Sequence, residues 1–322
     1  MNGIDLSQMN DLYIKLRNFM KDKTSTFNFH KVGSAEISKA IKKLKKSNAT
    51  GMDEISANLI KEFELELLPF LVHIINRAIM SNIFPENWKI AKVIPLFKNK
   101  GKKEAKNYRP VSNLITFSKI LESILETQLR KYFEDNKYIP DCQYGFRKAR
   151  GTGLALLEAT TRWKELRNQK KYIGICFYDL SAAFDCLDKT VLDEKLKTYG
   201  VQPGARKLIH HYLSNRKQVV EVDGSKSTIT TITTGSPQGS ILSPLLYLIL
   251  VSDLPLWLDP VVDTITFADD TSISVGGDSE EEVMRILERN SEKIFEYFSS
   301  NNLVANREKT CFLFVDKIKG GR

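Results

Sequence analysis

Cysteine is scarce and carries no motif. Cys142, Cys176, Cys186 and Cys311 form no C-x-x-C pair, so the chain reads as holding the free thiols of an intracellular protein. The four histidines form no H-E-x-x-H signature, and the adjacent His210 and His211 read as a helix surface rather than as metal ligands. Long apolar runs are missing too. The longest, "LLYLILV" over 245–251, is too short to cross a bilayer, and the first residues, "MNGIDLSQMN", have no apolar core of the signal-peptide type. These absences predict a soluble chain without a membrane partner, in the cytoplasm and/or nucleus. No internal repeat and no low-complexity linker stands out.

Positive charge and apolar content are abundant. The 322 residues are 42% hydrophobic with a formal net charge of +9, enough to bury one large core or two to three lobes. Residues 1–150 hold 27 Lys/Arg against 16 Asp/Glu, whereas residues 151–322 hold 21 against 23. A basic half joined to a slightly acidic one fits a polyanion held by one part and chemistry done by the other; solubility alone is the blander account. Amphipathic spacing predicts helices over 35–46, with Ile37, Ile41 and Leu44 on one face, and over 117–136. A helical stretch over 55–80 should be interrupted at Pro69. Residues 171–180 read as a buried strand, and "KQVVEVDGSKSTITTITTG" as two strands around Asp223-Gly224. Ser279 and Glu282 form a capping-box pattern ahead of a helix whose apolar face carries Val283, Leu287, Ile294 and Phe298.

One short stretch poses a physical problem. In "VVDTITFADDTSISV" two carboxylates, Asp269 and Asp270, stand side by side at the crest of a predicted hairpin. Like charges this close repel, most strongly beside apolar walls. Divalent cations are the commonest strong compensators. A third acid, Asp179, ends the strand "KYIGICFYD" 90 positions earlier. One acid at a strand end and two at a hairpin tip suit a two-metal site, although an isolated acid pair is more often a solvated turn.

The flanks decide between these readings. "FADD" with its hairpin, "FYDLSAAFD" (177–185) and "GSPQGSILSPLL" (235–246) resemble, in the expected order, three core motifs of a reverse transcriptase. "TGMDEI", "KVIPLFKNKGKK…NYRPVSNL", "QYGFRKARGT" and "NNLVANREKT" are similar to motifs of the non-LTR retrotransposon branch, in Jockey-like and related insect-type elements. The resemblance spans about residues 40–316. It implies an RNA-directed DNA polymerase that uses Mg²⁺ (two ions, with Mn²⁺ as an alternative) to join dNTPs to a DNA primer on an RNA template.

Residue by residue, the resemblance makes Asp179, Asp269 and Asp270 the catalytic metal-binding acids, joined by the backbone carbonyl of Leu180. Phe184 matches the aromatic gate that crowds a ribose 2′-hydroxyl; its alternative is an ordinary core ring. Pro237, Gln238 and Gly239 match the loop under the incoming nucleotide. Lys98 and Arg109 match contacts to the triphosphate, Lys309 matches a lysine near pyrophosphate, and Phe146 and Arg147 match a template contact. Each of these cations has a solvated-surface alternative. Small departures are Gly151, Ser236 and Ser243, where relatives usually carry Ser, Val and Gly.

The implied fold is α+β, a right hand of fingers and palm, the palm an antiparallel sheet with helices on one face and the thumb absent. The expected division is an N-terminal helical extension (1–40), basic fingers (41–160), palm (161–316) and a truncated end (317–322). Thumb and endonuclease segments are expected in a longer polyprotein. Two other readings compete: a catalytically inactive truncated fragment that only binds nucleic acid, and an RNA-templated RNA polymerase, against which Phe184 argues.

Overall fold

The computed structural model describes residues 6–97, 101–104, 107–181 and 184–316. Its first elements are α1 (Leu6–Met20), α2 (Ser34–Lys43), α3 (Ala57–Glu62), α4 (Glu64–Ser81), β1 (Ile90–Phe97), β2 (Tyr108–Leu114), α5 (Thr116–Asp135) and α6 (Thr152–Gln169). Then follow β3 (Tyr172–Tyr178), β4 (Leu180–Ser181), α7 (Lys189–Thr198), α8 (Pro203–Leu213), β5 (Arg216–Val222), β6 (Ser225–Lys226) and β7 (Thr230–Ile232). The last are α9 (Ser243–Val251), β8 (Asp263–Phe267), β9 (Asp270–Gly277), α10 (Glu280–Ser300), β10 (Val304–Ala305) and β11 (Cys311–Asp316). They form two compact units, each discontinuous in sequence. One comprises Met1–Lys23, Lys137–Leu187 and Tyr247–Arg322, the other Thr24–Asn136 and Asp188–Leu246. The expected boundaries at 40 and 160 fall inside these units. Long-range pairing, not chain order, defines them.

The first unit is built on a four-stranded sheet in the order β11-β3-β9-β8, antiparallel throughout. Its strands are rich in Ile, Val, Thr and aromatic residues, which suit a pleated, half-buried surface. Helices cover both faces, which corrects the expectation of helices on one face. On β3, a Cβ at Gly174 would lie 2.6 Å from Val283 and 2.4 Å from Leu287 of α10. On β9, a Cβ at Gly276 would lie 3.2 Å from Leu166 of α6. Gly174 pairs with Val275, so Gly276, one residue on, points to the opposite face. The physical reason is that glycines on both faces let a helix approach each side closely. α10 begins as expected: the Ser279 hydroxyl accepts the Glu282 N–H at 3.2 Å. The Glu282 carboxylate takes the N–H of Asp278 rather than that of Ser279.

The second unit carries a mixed sheet in the order β2-β1-β5-β6, with β7 also on β5. β1 runs antiparallel to β2 and parallel to β5. β5 and β6 close through Asp223 and Gly224, both at positive φ (49° and 79°), which is the hairpin read from the sequence. α2 packs on α4 and α5 through buried Ile37, Ile41, Ile75 and Leu121, each adding roughly 1.5–3 kcal/mol by leaving water. The helical stretch over 55–80 breaks at Phe63, not at Pro69, which lies inside α4. The carbonyl that Pro69 cannot serve is that of Leu65, a residue 80% exposed, so water can satisfy it.

Candidate active site

The first unit gathers most of the expected residues at one end of its sheet. Phe267 pairs with Asp270, leaving Ala268 and Asp269 as a two-residue hairpin loop. Only Ala268 of the pair has positive φ, 57°, as in a type II′ turn. β3 and β9 pair up to Tyr178 and Thr271, so extending the register by one residue sets Asp179 opposite Asp270. On the other side β3 and β11 pair up to Phe177 and Cys311, and just before β11 a short 3-10 turn over Arg307–Lys309 carries Lys309 back toward Asp179. A charge row of Lys309, Asp179 and Asp270 therefore crosses the end of the sheet, with Asp269 beside it on the turn. Lys309 Nζ reaches Asp179 Oδ2 at 3.0 Å.

The electrostatics follow from this row. The Asp270 carboxyl sits above its ordinary range. Although the side chain keeps contact with solvent, the protein around it is the largest cause, followed by the charges of Asp269 and Asp179; Lys309 opposes them. Lys309, exposed, is raised in turn, first by its hydrogen bond to Asp179. Leu180 is buried, and its backbone pairs with Ala305. The Asp179 carbonyl accepts the Asn306 N–H at 2.8 Å, which ties Lys309's segment to this strand end. A cleft of about 470 Å³ opens beside the row, between Asp179, Asp270 and Lys309 on one side and Ala155, Ala159 and Trp163 of α6 on the other. Carboxylates of this kind suit a hard divalent cation. Among the described residues, no three His, Cys, Asp or Glu side chains converge as a metal cluster.

Behind the turn lies a feature that the sequence reading passed over. Residues 142–145 run alongside β8: the Tyr144 N–H donates to Thr266 O and the Thr266 N–H to Cys142 O, both at 2.8 Å. Gln143, 3% exposed, points its Oε1 at two backbone donors, the N–H of Ala268 (3.0 Å) and that of Gly145 (2.7 Å). The signal was "QYG" within "QYGFRKARGT", of which only the following residues were assigned roles.

Phe184 is half-buried. Its ring lies 5.8 Å from that of Phe146, edge-on, and 5.3 Å from that of Tyr247. The Tyr247 hydroxyl is pushed well up by burial and by the charges of Asp269 and Asp270, so the aromatic group stands within reach of the acids' field. Tyr247 was not foreseen; it sits in an apolar run that reads only as core. Phe146 is 45% exposed at positive φ (54°). Arg147 donates to the carbonyls of Pro140 (2.8 Å) and Gln143 (3.2 Å).

Gln238, Gly239 and Arg109 belong to the second unit. Gly239 has φ 102°, and a Cβ there would lie 2.8 Å from Ser112 O. The Ser112 N–H donates to Gln238 O at 3.2 Å. The "PQG" loop thus rests on β2, the strand that carries exposed Arg109. From below, the fully buried Glu122 accepts the Ser240 hydroxyl (2.7 Å) and the Ile241 N–H (2.9 Å). Glu122 was read from the sequence only as part of an amphipathic helix. Lys98, the other expected triphosphate contact, lies outside the described residues.

The family described as reverse transcriptase (RNA-dependent DNA polymerase) matches residues 98–319, which include the acids, the "PQG" loop and Lys309. The chain belongs to the reverse transcriptase family. Similar curated proteins come from mobile elements, as the non-LTR motifs implied. The probable RNA-directed DNA polymerase from transposon BS of Drosophila melanogaster is 29% identical over 293 residues, covering 86% of this chain and 32% of that protein. The RNA-directed DNA polymerase from mobile element jockey of the same species is 33% identical over 246 residues, 74% of this chain and 27% of the relative. The probable RNA-directed DNA polymerase from transposon X-element, also of that species, is 28% identical over the same length. The chain therefore spans about a third or less of the curated relatives it matches. Among the described residues, no helix is long and apolar enough to cross a membrane.

Proposed function

We propose that the chain is the polymerising part of a non-LTR retrotransposon reverse transcriptase, adding deoxynucleotides to a DNA primer on an RNA template. The observation that carries this reading is the charge row: Asp179 and Asp270 face each other across the sheet end, Asp269 adjoins them, and Asp270 is raised by both neighbours. The first unit then corresponds to a palm, and the basic strands and loops of the second to fingers.

Asp179, Asp269, Asp270 and the Leu180 carbonyl would hold two Mg²⁺ ions, or Mn²⁺ in their place. When bound, the ions supply Lewis acidity for a 3′-hydroxyl and charge for a departing pyrophosphate. The chain's own residues do the rest. Lys309, already drawn to the acids, is a cation available to phosphate oxygens. Arg109 offers a planar donor set for the triphosphate, as does Lys98 a point charge. Gly239 lets a backbone come close to the nucleotide, and Gln238 offers donor and acceptor atoms to sugar or base. Phe184, backed by Phe146 and Tyr247, fills space where a 2′-hydroxyl would sit. Phe146 and Arg147 face the template.

Primer extension on an RNA template with Asp269→Asn tests the proposal. The variant should lose extension while melting at or above the wild-type temperature in the absence of metal, because a repulsive charge is gone. A variant that keeps most of its extension rate would overturn the assignment of the acids.

A further inference from the structure

We infer that Gln143 is a positioning residue for the catalytic turn: its side-chain amide fixes the Ala268 peptide, and through it the direction in which Asp269 and Asp270 project. This inference deepens the polymerase reading and rests on it.

The argument begins with the turn. A two-residue hairpin loop leaves its first peptide N–H without a ladder partner, and here that N–H belongs to Ala268, a non-glycine residue at φ 57°. Such a conformation costs about 1–2 kcal/mol for an L-residue and persists where surrounding contacts over-determine it. Gln143 provides such contacts. Its Oε1 accepts the Ala268 N–H and also the N–H of Gly145 in its own segment. The amide orientation is fixed by this pair, since the reversed amide would set its NH₂ against two N–H donors. With Gln143 3% exposed, water cannot replace the lost acceptor, so removing it strands two buried donors.

The backbone around Gln143 sets its reach. Residues 142 and 144 are bonded to Thr266 on either side, which anchors the base of the Gln143 side chain to β8. Gly145 then lies against the turn so closely that a Cβ would stand 2.1 Å from Ala268 N. Segment, amide and turn therefore form one close-packed joint next to the acids. The joint is neutral: an amide accepts two N–H groups without adding a charge beside three carboxylates. This gives the "QYG" of the motif a task separate from those of Phe146 and Arg147.

The test uses the whole chain with Gln143→Leu, which keeps most of the volume and removes both polar atoms. Two readouts are taken. The first is primer extension, analysed as kcat and KM for dNTP. The second is the melting temperature against Mn²⁺ concentration, with no nucleotide or nucleic acid present. The expected result is a kcat lower by roughly 10- to 100-fold with KM changed less than about twofold, and a Mn²⁺ midpoint raised at least about threefold. Should Gln143→Leu fold poorly, Gln143→Asn, which keeps the amide but falls one methylene short, is expected to show the same split. Unchanged kcat and Mn²⁺ midpoint, with only a lower melting temperature, would reduce Gln143 to a packing residue and overturn the inference. A wild-type chain that binds Mn²⁺ but does not extend primers counts against the polymerase reading alone, and the Mn²⁺ midpoint still decides the role of Gln143. A wild-type chain that neither extends nor responds to Mn²⁺ overturns both.

Discussion

Gly145→Ala offers a sharp test of how the acid-bearing turn is held. A Cβ at this position would lie 2.1 Å from the Ala268 nitrogen, 2.7 Å from its Cα and 2.9 Å from its Cβ. The first two are backbone atoms, so no side chain can swing aside. The turn must retreat by about 1.3 Å, the difference between 2.1 Å and the 3.4 Å at which ordinary contact begins. Overpacking of this kind costs roughly 1–3 kcal/mol. The retreat also strains the Ala268 bond to Gln143 and the Tyr144 bond to Thr266, each worth about 0.5–1.5 kcal/mol. At ~2–4 °C per kcal/mol for a chain of this size, melting should fall by on the order of 10 °C. Extension, measured at a temperature where both proteins are folded, should fall by on the order of 10²-fold, the usual cost of a 1 Å misplacement near the chemistry. Gly153→Ala is the matched control. It lies in the same motif region, at the start of α6, and a Cβ there meets nothing within 4 Å; helix propensity alone should make it neutral or stabilising by up to ~1 kcal/mol. If Gly145→Ala melts and extends like Gly153→Ala, the close approach of this segment to the turn is refuted.

Phe184→Ala should raise kcat/KM for ribonucleotides relative to deoxynucleotides by on the order of tenfold; an unchanged ratio, with a lower melting temperature, would make the ring a core residue. Asp259, held down to about 2 first by its hydrogen bond from Lys293 and then by Asn290 and Arg289, gives a pH-dependent contribution. A depressed carboxyl stabilises the fold above its ordinary value of 3.8 and loses that effect as pH falls through about 2, so Asp259→Asn should melt below wild type at pH 7 and the gap should close between pH 3.8 and 2. A gap independent of pH would show that the ion cluster contributes nothing.

What could be read from the sequence was what local physics encodes. The hairpin at Asp223-Gly224 needs two residues at positive φ, and the pair of residue types announces it. Ser279 with its N–H from Glu282 is legible as a cap because capping involves neighbours in sequence. The strand of Asp179 and the hairpin of Asp269-Asp270 show in their β-branched and aromatic runs. Other features depend on partners far along the chain. α6 was not read as a helix because its large residues, Leu154, Leu156 and Leu157, are exposed, while small Ala155 and Ala159 are buried; the hydrophobic period points the wrong way. Helices on both faces of the sheet followed from Gly174 and Gly276, which look like weak strand residues until their neighbours are known. Gln143 is silent for the same reason: its partner Ala268 is 125 positions away.

The problem of two adjacent acids on a hairpin has a structural answer in the chain itself. The sheet register makes it worse before it makes it better, because closing β3 against β9 brings up a third carboxylate, Asp179, opposite Asp270. Three features then limit the cost. Asp270 keeps contact with solvent, so much of the repulsion is screened. Lys309, on the 3-10 turn ahead of β11, bonds to Asp179 at 3.0 Å. Gln143 then fixes the turn with a neutral acceptor, where a carboxylate accepting the same two N–H groups would add a further negative charge beside the acids. Asp270 nevertheless stays raised, so the compensation is incomplete. A site with residual negative charge, held in place from behind by uncharged groups, remains receptive to cations. On the polymerase reading, the arrangement gives up some stability of the fold to leave negative charge where cations would bind, which is the pattern expected of strain at a functional site.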